Sequence, residues 1–144
     1  MTQTVLITGG TGMIGKRLTQ LLQEKGYEVA YLSRKQESIP NVKVYRWDVE
    51  KNWIDEKALV NADYIIHLAG AGIADGRWTY KRKQEIIHSR TSTIELIARE
   101  LQGRPYKVKA FVSASAIGFY GADTGDKRLT EQKIGRAHVW TPVT

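Results

Sequence analysis

Val5-Leu6-Ile7-Thr8-Gly9-Gly10-Thr11-Gly12-Met13-Ile14-Gly15 decides the fold. A short apolar run gives way to closely spaced glycines and then to a helical pattern, which is the order strand, tight turn, helix. Two templates overlap in it. Gly10-x-Gly12-x-x-Gly15 fits the dinucleotide fingerprint, and Gly9-x-x-Gly12-x-x-Gly15 fits its wider-spaced variant. The chemistry explains the residue type. A side chain in the turn would hold the backbone away from a pyrophosphate, and a glycine at the helix entry lets helix and strand pack closely. The first helical turn, at Met13, Ile14 and Gly15, then offers unpaired N–H groups and the positive end of the helix dipole to phosphates. A glycine-rich turn with no ligand is the alternative; the strand before it and the helix after it argue for the nucleotide.

Outward from this turn, strands alternate with helices. Thr4 to Thr8 reads as a strand and Gly12 to Lys25 as a helix, with Ile14, Leu18, Leu21 and Leu22 at helical spacing and Gly26 as its stop. Glu28 to Ser33 is a second strand and Val42 to Trp47 a third, after the turn at Pro40-Asn41. Trp53 to Val60 suits a short helix. Asp63 to Leu68 is a fourth strand, apolar enough for burial on both faces. Thr79 to Leu101 is a long helix whose stripe is Ile87, Ile94, Ile97, Ala98 and Leu101, ended by Gly103 and Pro105. Val108 to Ser113 is a fifth strand. This α/β alternation predicts a Rossmann-type doubly wound parallel sheet, incomplete, with strand order 3-2-1-4-5.

The chain has 144 residues, 42% of them hydrophobic, which is one domain or part of one. It has no run long enough to span a membrane, and no signal peptide precedes the first strand. It has no cysteine, so neither disulfides nor thiolate metal sites arise, and no metal is expected. A cytoplasmic protein is the expectation. The formal net charge of +7 raises nucleic-acid binding, but a solvated basic face or attraction to a polyanionic cofactor explains it more simply. Neither a nucleic acid nor a membrane is expected as partner; a homo-oligomer stays open.

Residues 133–144 break the pattern. They match the translation of a common sequencing adapter, except that Trp140 stands where the standard code has a stop. Residues 1–132 are therefore read as the N-terminal part of the nucleotide-binding domain and 133–144 as an artefactual tail, excluded from functional reasoning.

The end of the second strand should lie beside the adenosine ribose. A carboxylate there would select NAD; the sequence instead reads Leu32-Ser33-Arg34-Lys35. The Arg34 fork suits a 2′-phosphate and Ser33 adds a hydroxyl donor, which favours NADP with NAD as the second choice. The alternative is an arginine merely exposed at a strand end. Asp48, after the third strand, either accepts from the adenine amino group or holds a turn ahead of Trp53. Leu68-Ala69-Gly70-Ala71-Gly72, after the fourth strand, lets the backbone approach the middle of the cofactor or is a plain loop.

Taken together, these residues resemble the extended short-chain dehydrogenase/reductase superfamily, and within it the atypical NAD-dependent epimerase/dehydratase branch of SDR39U1-like proteins. The carriers are Thr8 to Gly15, Ser33-Arg34 and His67-Leu68-Ala69-Gly70, then Arg77-Trp78-Thr79 with Lys83, Ile86, Ser89 and Arg90, and Ser113 to Gly121. The resemblance spans residues 4 to about 131. It implies cofactor contacts by Ser33, Arg34, Leu68 and Ala69, and by Glu85 and Arg90 from the long helix. For Arg90 a cation aimed at the phosphates and a partly buried salt bridge both fit. Ser115 matches the serine that binds the substrate carbonyl or hydroxyl, and Ser89 stands where many relatives carry an asparagine.

The superfamily's chemistry also uses Tyr-x-x-x-Lys on one helix face. The only such spacing here, Tyr31 to Lys35, lies on the second strand and its exit, where the two residues would stand roughly 13 Å apart. It is read as coincidence, and the catalytic pair as absent from this chain. Two functions follow: an NADP-dependent epimerase, dehydratase or reductase acting on a hydroxyl or carbonyl carbon, with this fragment inactive, or a non-catalytic NADPH-binding sensor.

Overall fold

The structure, a computed structural model, describes residues 1–114 together with 125, 126, 128 and 130. The chain falls into two compact units, Met1–Ser113 and Ala114–Thr144, and every element below belongs to the first. The tail expected from residue 133 lies outside the described residues.

β1 (Thr4–Thr8) leads through the glycine turn into α1 (Met13–Glu24), and β2 (Glu28–Ser33) and β3 (Lys43–Asp48) follow. Next come β4 (Trp53–Ile54), α2 (Glu56–Asn61), β5 (Tyr64–His67), α3 (Tyr80–Gly103) and β6 (Ala110–Ser113). The sheet order among the described residues is β4-β3-β2-β1-β5-β6. All pairs are parallel except β3 with β4. The five parallel strands stand in the order expected. The difference lies at the edge. Trp53 and Ile54 were expected to begin a helix, but they pair antiparallel with Asp48 and Trp47, and the helix starts only after Asp55. Burial of Ile54 against Trp47 within one apolar cluster outweighs helical continuity there.

Strand alternation sends two sets of side chains to opposite faces. Val5, Ile7, Val29 and Tyr31 meet Leu18 and Leu22 of α1. Leu6, Ala30, Leu32 and Ile65 join Ala58 and Leu59 of α2 and Leu96 and Ile97 of α3. Each fully buried aliphatic side chain contributes about 1.5–3 kcal/mol.

Two expected stripes shift. Ile14 and Leu21 of α1 are exposed, and the buried α1 residues are Gly15 and Thr19. In α3, Ile87 and Ala98 are exposed, while Thr93, Leu96 and Ile97 are buried. Only the C-terminal half of α3 packs on the sheet. β5 is also less enclosed than its apolar sequence suggests: Ile65 and His67 are buried, whereas Tyr64 and Ile66 are half-buried.

α1 stops as its sequence predicts. Gly26 has φ +85°, its N–H donates to Gln23 O, and the Tyr27 N–H donates to Leu22 O, a Schellman closure. At the other end the helix lies tight on its own turn. A Cβ on Gly15 would stand 2.6 Å from Gly10 Cα, and one on Gly10 would stand 2.4 Å from the Tyr31 ring. Tyr31 is pinned: its hydroxyl donates to Thr19 Oγ1 (2.6 Å), whose own proton goes to Gly15 O (2.7 Å).

Gly10→Ala and Gly15→Ala are each expected to destabilise the chain by about 1–3 kcal/mol. The check is a lower urea midpoint at unchanged slope. A change within about 0.5 kcal/mol in both variants would show that turn, helix and Tyr31 part without cost.

Candidate functional site

Parallel pairing puts the C-terminal ends of β1, β2 and β5 side by side next to the N-terminus of α1, with Gly9, Gly12, Ser33, Arg34, Leu68 and Ala69 at or just beyond them. Gly9 has φ +72°, and a Cβ there would lie 2.9 Å from Ala69 N and Leu68 C. Backbone conformation and close approach therefore both require glycine, and the β1–α1 turn rests directly on the chain leaving β5.

Gly12 differs. Its backbone (φ −72°, ψ 172°) suits any residue, and a Cβ would meet only Gly9 O, at an ordinary 3.4 Å. As the N-cap of α1 it supplies no side-chain bond, and the first turn carries no acid. The other two helices are capped: Asp55 accepts from Lys57 N, and Thr79 accepts from Arg82 N. At α1 the first-turn donors of Met13, Ile14 and Gly15 have no intrahelical acceptors and no capping side chain. Met13 and Ile14 are exposed beside them, at 85% and 65%. A bare main-chain surface with a positive helix end suits a diphosphate.

At the end of β2 the Ser33 hydroxyl accepts from Lys35 N–H (3.2 Å). Arg34 is exposed and makes no hydrogen bond or ion pair among the described residues, so its fork is available. Asp48 is engaged locally: Oδ1 accepts from Lys51 N (3.1 Å) and Oδ2 stands 3.8 Å from Lys51 Nζ. That is the turn-holding alternative raised from sequence. Tyr31 is buried under the glycine turn and Lys35 is exposed, so their spacing builds no dyad.

The loop after β5 is stitched to α3. Ala71 N–H donates to Ser89 Oγ (2.9 Å), and Ala71 O accepts from Arg90 Nη1 and Nη2, both at 3.2 Å. Arg90 Nη1 also donates to Ile86 O. Among the described residues Arg90 forms no salt bridge; its guanidinium holds carbonyls. It lies so close to Gly70 that a Cβ there would stand 2.9 Å from Arg90 Cζ. Arg82 donates to Gly72 O and pairs with Glu85 at 3.2 Å, and Trp78 Nε1 donates to Ile73 O. Ser115 lies outside the described residues.

The sequence reading did not anticipate the polar chain beneath this loop. Thr8 is fully buried, and its Oγ1 accepts from the N–H groups of Leu68 and Ala69, both at 3.2 Å. Thr8 Oγ1 lies 2.7 Å from His67 Nδ1, and His67 Nε2 lies 3.1 Å from Thr93 Oγ1. The signal available was a histidine closing an apolar strand, with a threonine in the helical stripe to meet it.

Known proteins agree with this geometry. The sequence profile of the NAD dependent epimerase/dehydratase family matches residues 5–141. Epimerase family protein YfhF of Bacillus subtilis is 34% identical, covering 94% of this chain and 47% of its own length. Human epimerase family protein SDR39U1 is 36% identical over 81% of this chain and 38% of its own. The crystal structure of human SDR39U1 (isoform 2) with NADPH superposes with TM-score 0.65 at 31% identity, over 82% of this chain and 38% of that one. UDP-N-acetylglucosamine 4-epimerase from Bacillus cereus, 20% identical with TM-score 0.68, covers 93% of this chain and 42% of its own and shares the fold. The chain therefore spans less than half the length of these relatives. With the glycine turn, the parallel sheet and the profile in agreement, the chain belongs to the NAD dependent epimerase/dehydratase family.

Proposed function

We propose that the chain is the NADP-binding part of an epimerase/dehydratase-like oxidoreductase that acts on a hydroxyl or carbonyl carbon of a small substrate. The observation that carries this is Gly12. Among the described residues nothing requires a glycine there, whereas a diphosphate lying on the α1 N-terminus would. The N–H groups of Met13, Ile14 and Gly15 would hold the diphosphate, while Leu68, Ala69 and Gly70 border the cofactor's middle. Arg34, with Ser33, would take the 2′-phosphate; the NADPH in the human relative's structure supports this choice over NAD. Asp48, Glu85 and Arg90 would act as boundary residues rather than as direct partners, because each is already engaged. When bound, the nicotinamide supplies hydride transfer, and Ser115 would orient the substrate oxygen.

A second reading is a non-catalytic NADPH sensor, which needs the cofactor crevice alone; the Tyr-x-x-x-Lys spacing at Tyr31 supplies no dyad, its tyrosine being buried and bonded to Thr19. The 144-residue chain is accordingly expected to show weak or no ketone reduction with NADPH. Robust turnover would overturn that expectation and remove the sensor reading.

Arg34→Ala is expected to weaken NADPH binding about 10–100-fold and NADH binding less than about threefold, read by fluorescence titration. Equal losses for both cofactors would refute the 2′-phosphate role.

Gly12→Val is expected to abolish binding of both cofactors at a stability cost of about 1 kcal/mol or less. Retained binding would mean that the diphosphate lies elsewhere.

A further inference from the structure

The buried chain Thr8–His67–Thr93 is closed in its hydrogen-bond accounting, and the accounting fixes a tautomer. A threonine hydroxyl has two acceptor positions and one proton. Thr8 Oγ1 accepts from the Ala69 N–H and shares the Leu68 N–H with the Thr8 carbonyl, so its own proton goes to His67 Nδ1. Nδ1 is therefore bare and Nε2 carries the hydrogen, which it donates to Thr93 Oγ1. Thr93 in turn donates to Ser89 O and Arg90 O, each at 2.9 Å. Every proton has a receiver, and the imidazole is neutral.

Resting on the cofactor reading above, we propose that His67 is a positioning residue. Through Thr8 it fixes the Leu68–Ala69 backbone against which the dinucleotide lies, and through Thr93 it ties that backbone to α3. The position of the loop makes this more than a matter of stability. Gly9 touches Ala69 N and Leu68 C with no side chain between, so a shift of those two residues moves the phosphate-binding turn itself.

Protonation breaks the arrangement. A proton on Nδ1 would leave the Thr8 hydroxyl proton without its acceptor and make Oγ1 compete for a donor it has no free site for, while the Leu68 N–H would keep the Thr8 carbonyl. The surroundings oppose that proton. Burial, and then the Arg90 charge, hold the imidazole below its ordinary value of 6.5. From the other packed elements, β1 presents Thr8 and β6 stacks Phe111 at 6.1 Å, neither of them charged. Above about 6.5 the imidazole is neutral folded and unfolded. Below it the unfolded chain binds a proton that the folded chain refuses, so stability falls as pH falls through this window.

The test uses the 144-residue chain, His67→Leu and His67→Gln, with NADPH fluorescence titrations at about pH 7.5 and about pH 5.5, either side of a free imidazole. Glutamine can accept from Thr8 and donate to Thr93 but does not titrate. His67→Leu is expected to lose about tenfold in NADPH affinity at the higher pH while keeping its far-ultraviolet dichroism. His67→Gln is expected to stay within about threefold of the parent there. At the lower pH the parent-to-Gln affinity ratio should change by less than about threefold, because the folded imidazole stays neutral, the 2′-phosphate's own titration near pH 6 being common to both. A purely structural histidine would lower the melting temperature in both variants and leave NADPH affinity unchanged in both. Unchanged affinity in a folded His67→Leu overturns the positioning role, as does a loss of about tenfold or more in His67→Gln, which is readable even if His67→Leu fails to fold. A parent that does not bind NADPH at all overturns the cofactor reading, and this inference with it.

Discussion

Two lengths of main chain, the turn after β1 and the exit of β5, touch with no side chain between them. Gly9 is at φ +72°, within 2.9 Å of where Ala69 and Leu68 would meet any Cβ it carried. The same demand propagates along the turn. Gly10 must be bare because Tyr31 lies under it, and Gly15 must be bare because α1 descends onto Gly10. Three glycines are thus consumed in packing protein on protein. Only Gly12 is left to face outward, at the helix terminus that has no cap. On the proposed cofactor reading, a fingerprint usually attributed to ligand approach is divided between two causes, which separates residues whose loss would destabilise the turn from one whose loss would block a phosphate.

The bare contact also explains why polar groups are buried beneath it. Once the chain leaves β5 against a glycine, the Leu68 N–H keeps the Thr8 carbonyl at 3.1 Å but the Ala69 N–H has no strand partner among the described residues, and an unpaired buried amide costs about 1–3 kcal/mol. Thr8, the last residue of β1, takes both. Its proton then needs a receiver in the core, and His67 provides one at 2.7 Å. A histidine between two threonines is thus the end of a chain of obligations that starts with Gly9.

The sequence disclosed the periodic part of this architecture and little of the pairwise part. Five parallel strands and two long helices were legible because alternation and helical spacing report on burial directly. Gly26 was legible as a stop because few residues adopt its φ of +85°. Trp53-Ile54 was misread because a two-residue strand has no period, and its pairing with Asp48 and Trp47 is a tertiary fact. Ile14 and Ile87 were placed in apolar stripes but are exposed, since spacing shows that a face is apolar and not that something covers it. Within the site, the glycines and the free Arg34 sit where the spacing put them. The turn held by Asp48 was one of two readings, but the partners of Glu85 and Arg90 were invisible, because a hydrogen bond from Arg90 to Ala71 O depends on the path of a loop that carries no pattern.

Arg34 and Arg90 show how far two arginines can differ. Arg34 keeps both its charge and its donors at the end of β2, so it can offer an incoming phosphate directed bonds. Arg90 has turned its donors onto the carbonyls of Ala71 and Ile86 and forms no ion pair among the described residues. Neutral carbonyls take three of its hydrogen bonds without cancelling its charge, which is still felt at His67, where it disfavours a second cation. One side chain thereby clamps the loop after β5 by hydrogen bonding and keeps the end of β5 electropositive by charge. On the proposed cofactor reading, directed recognition of the phosphate is left to Arg34, and the charge of Arg90 adds only a general attraction for an anion.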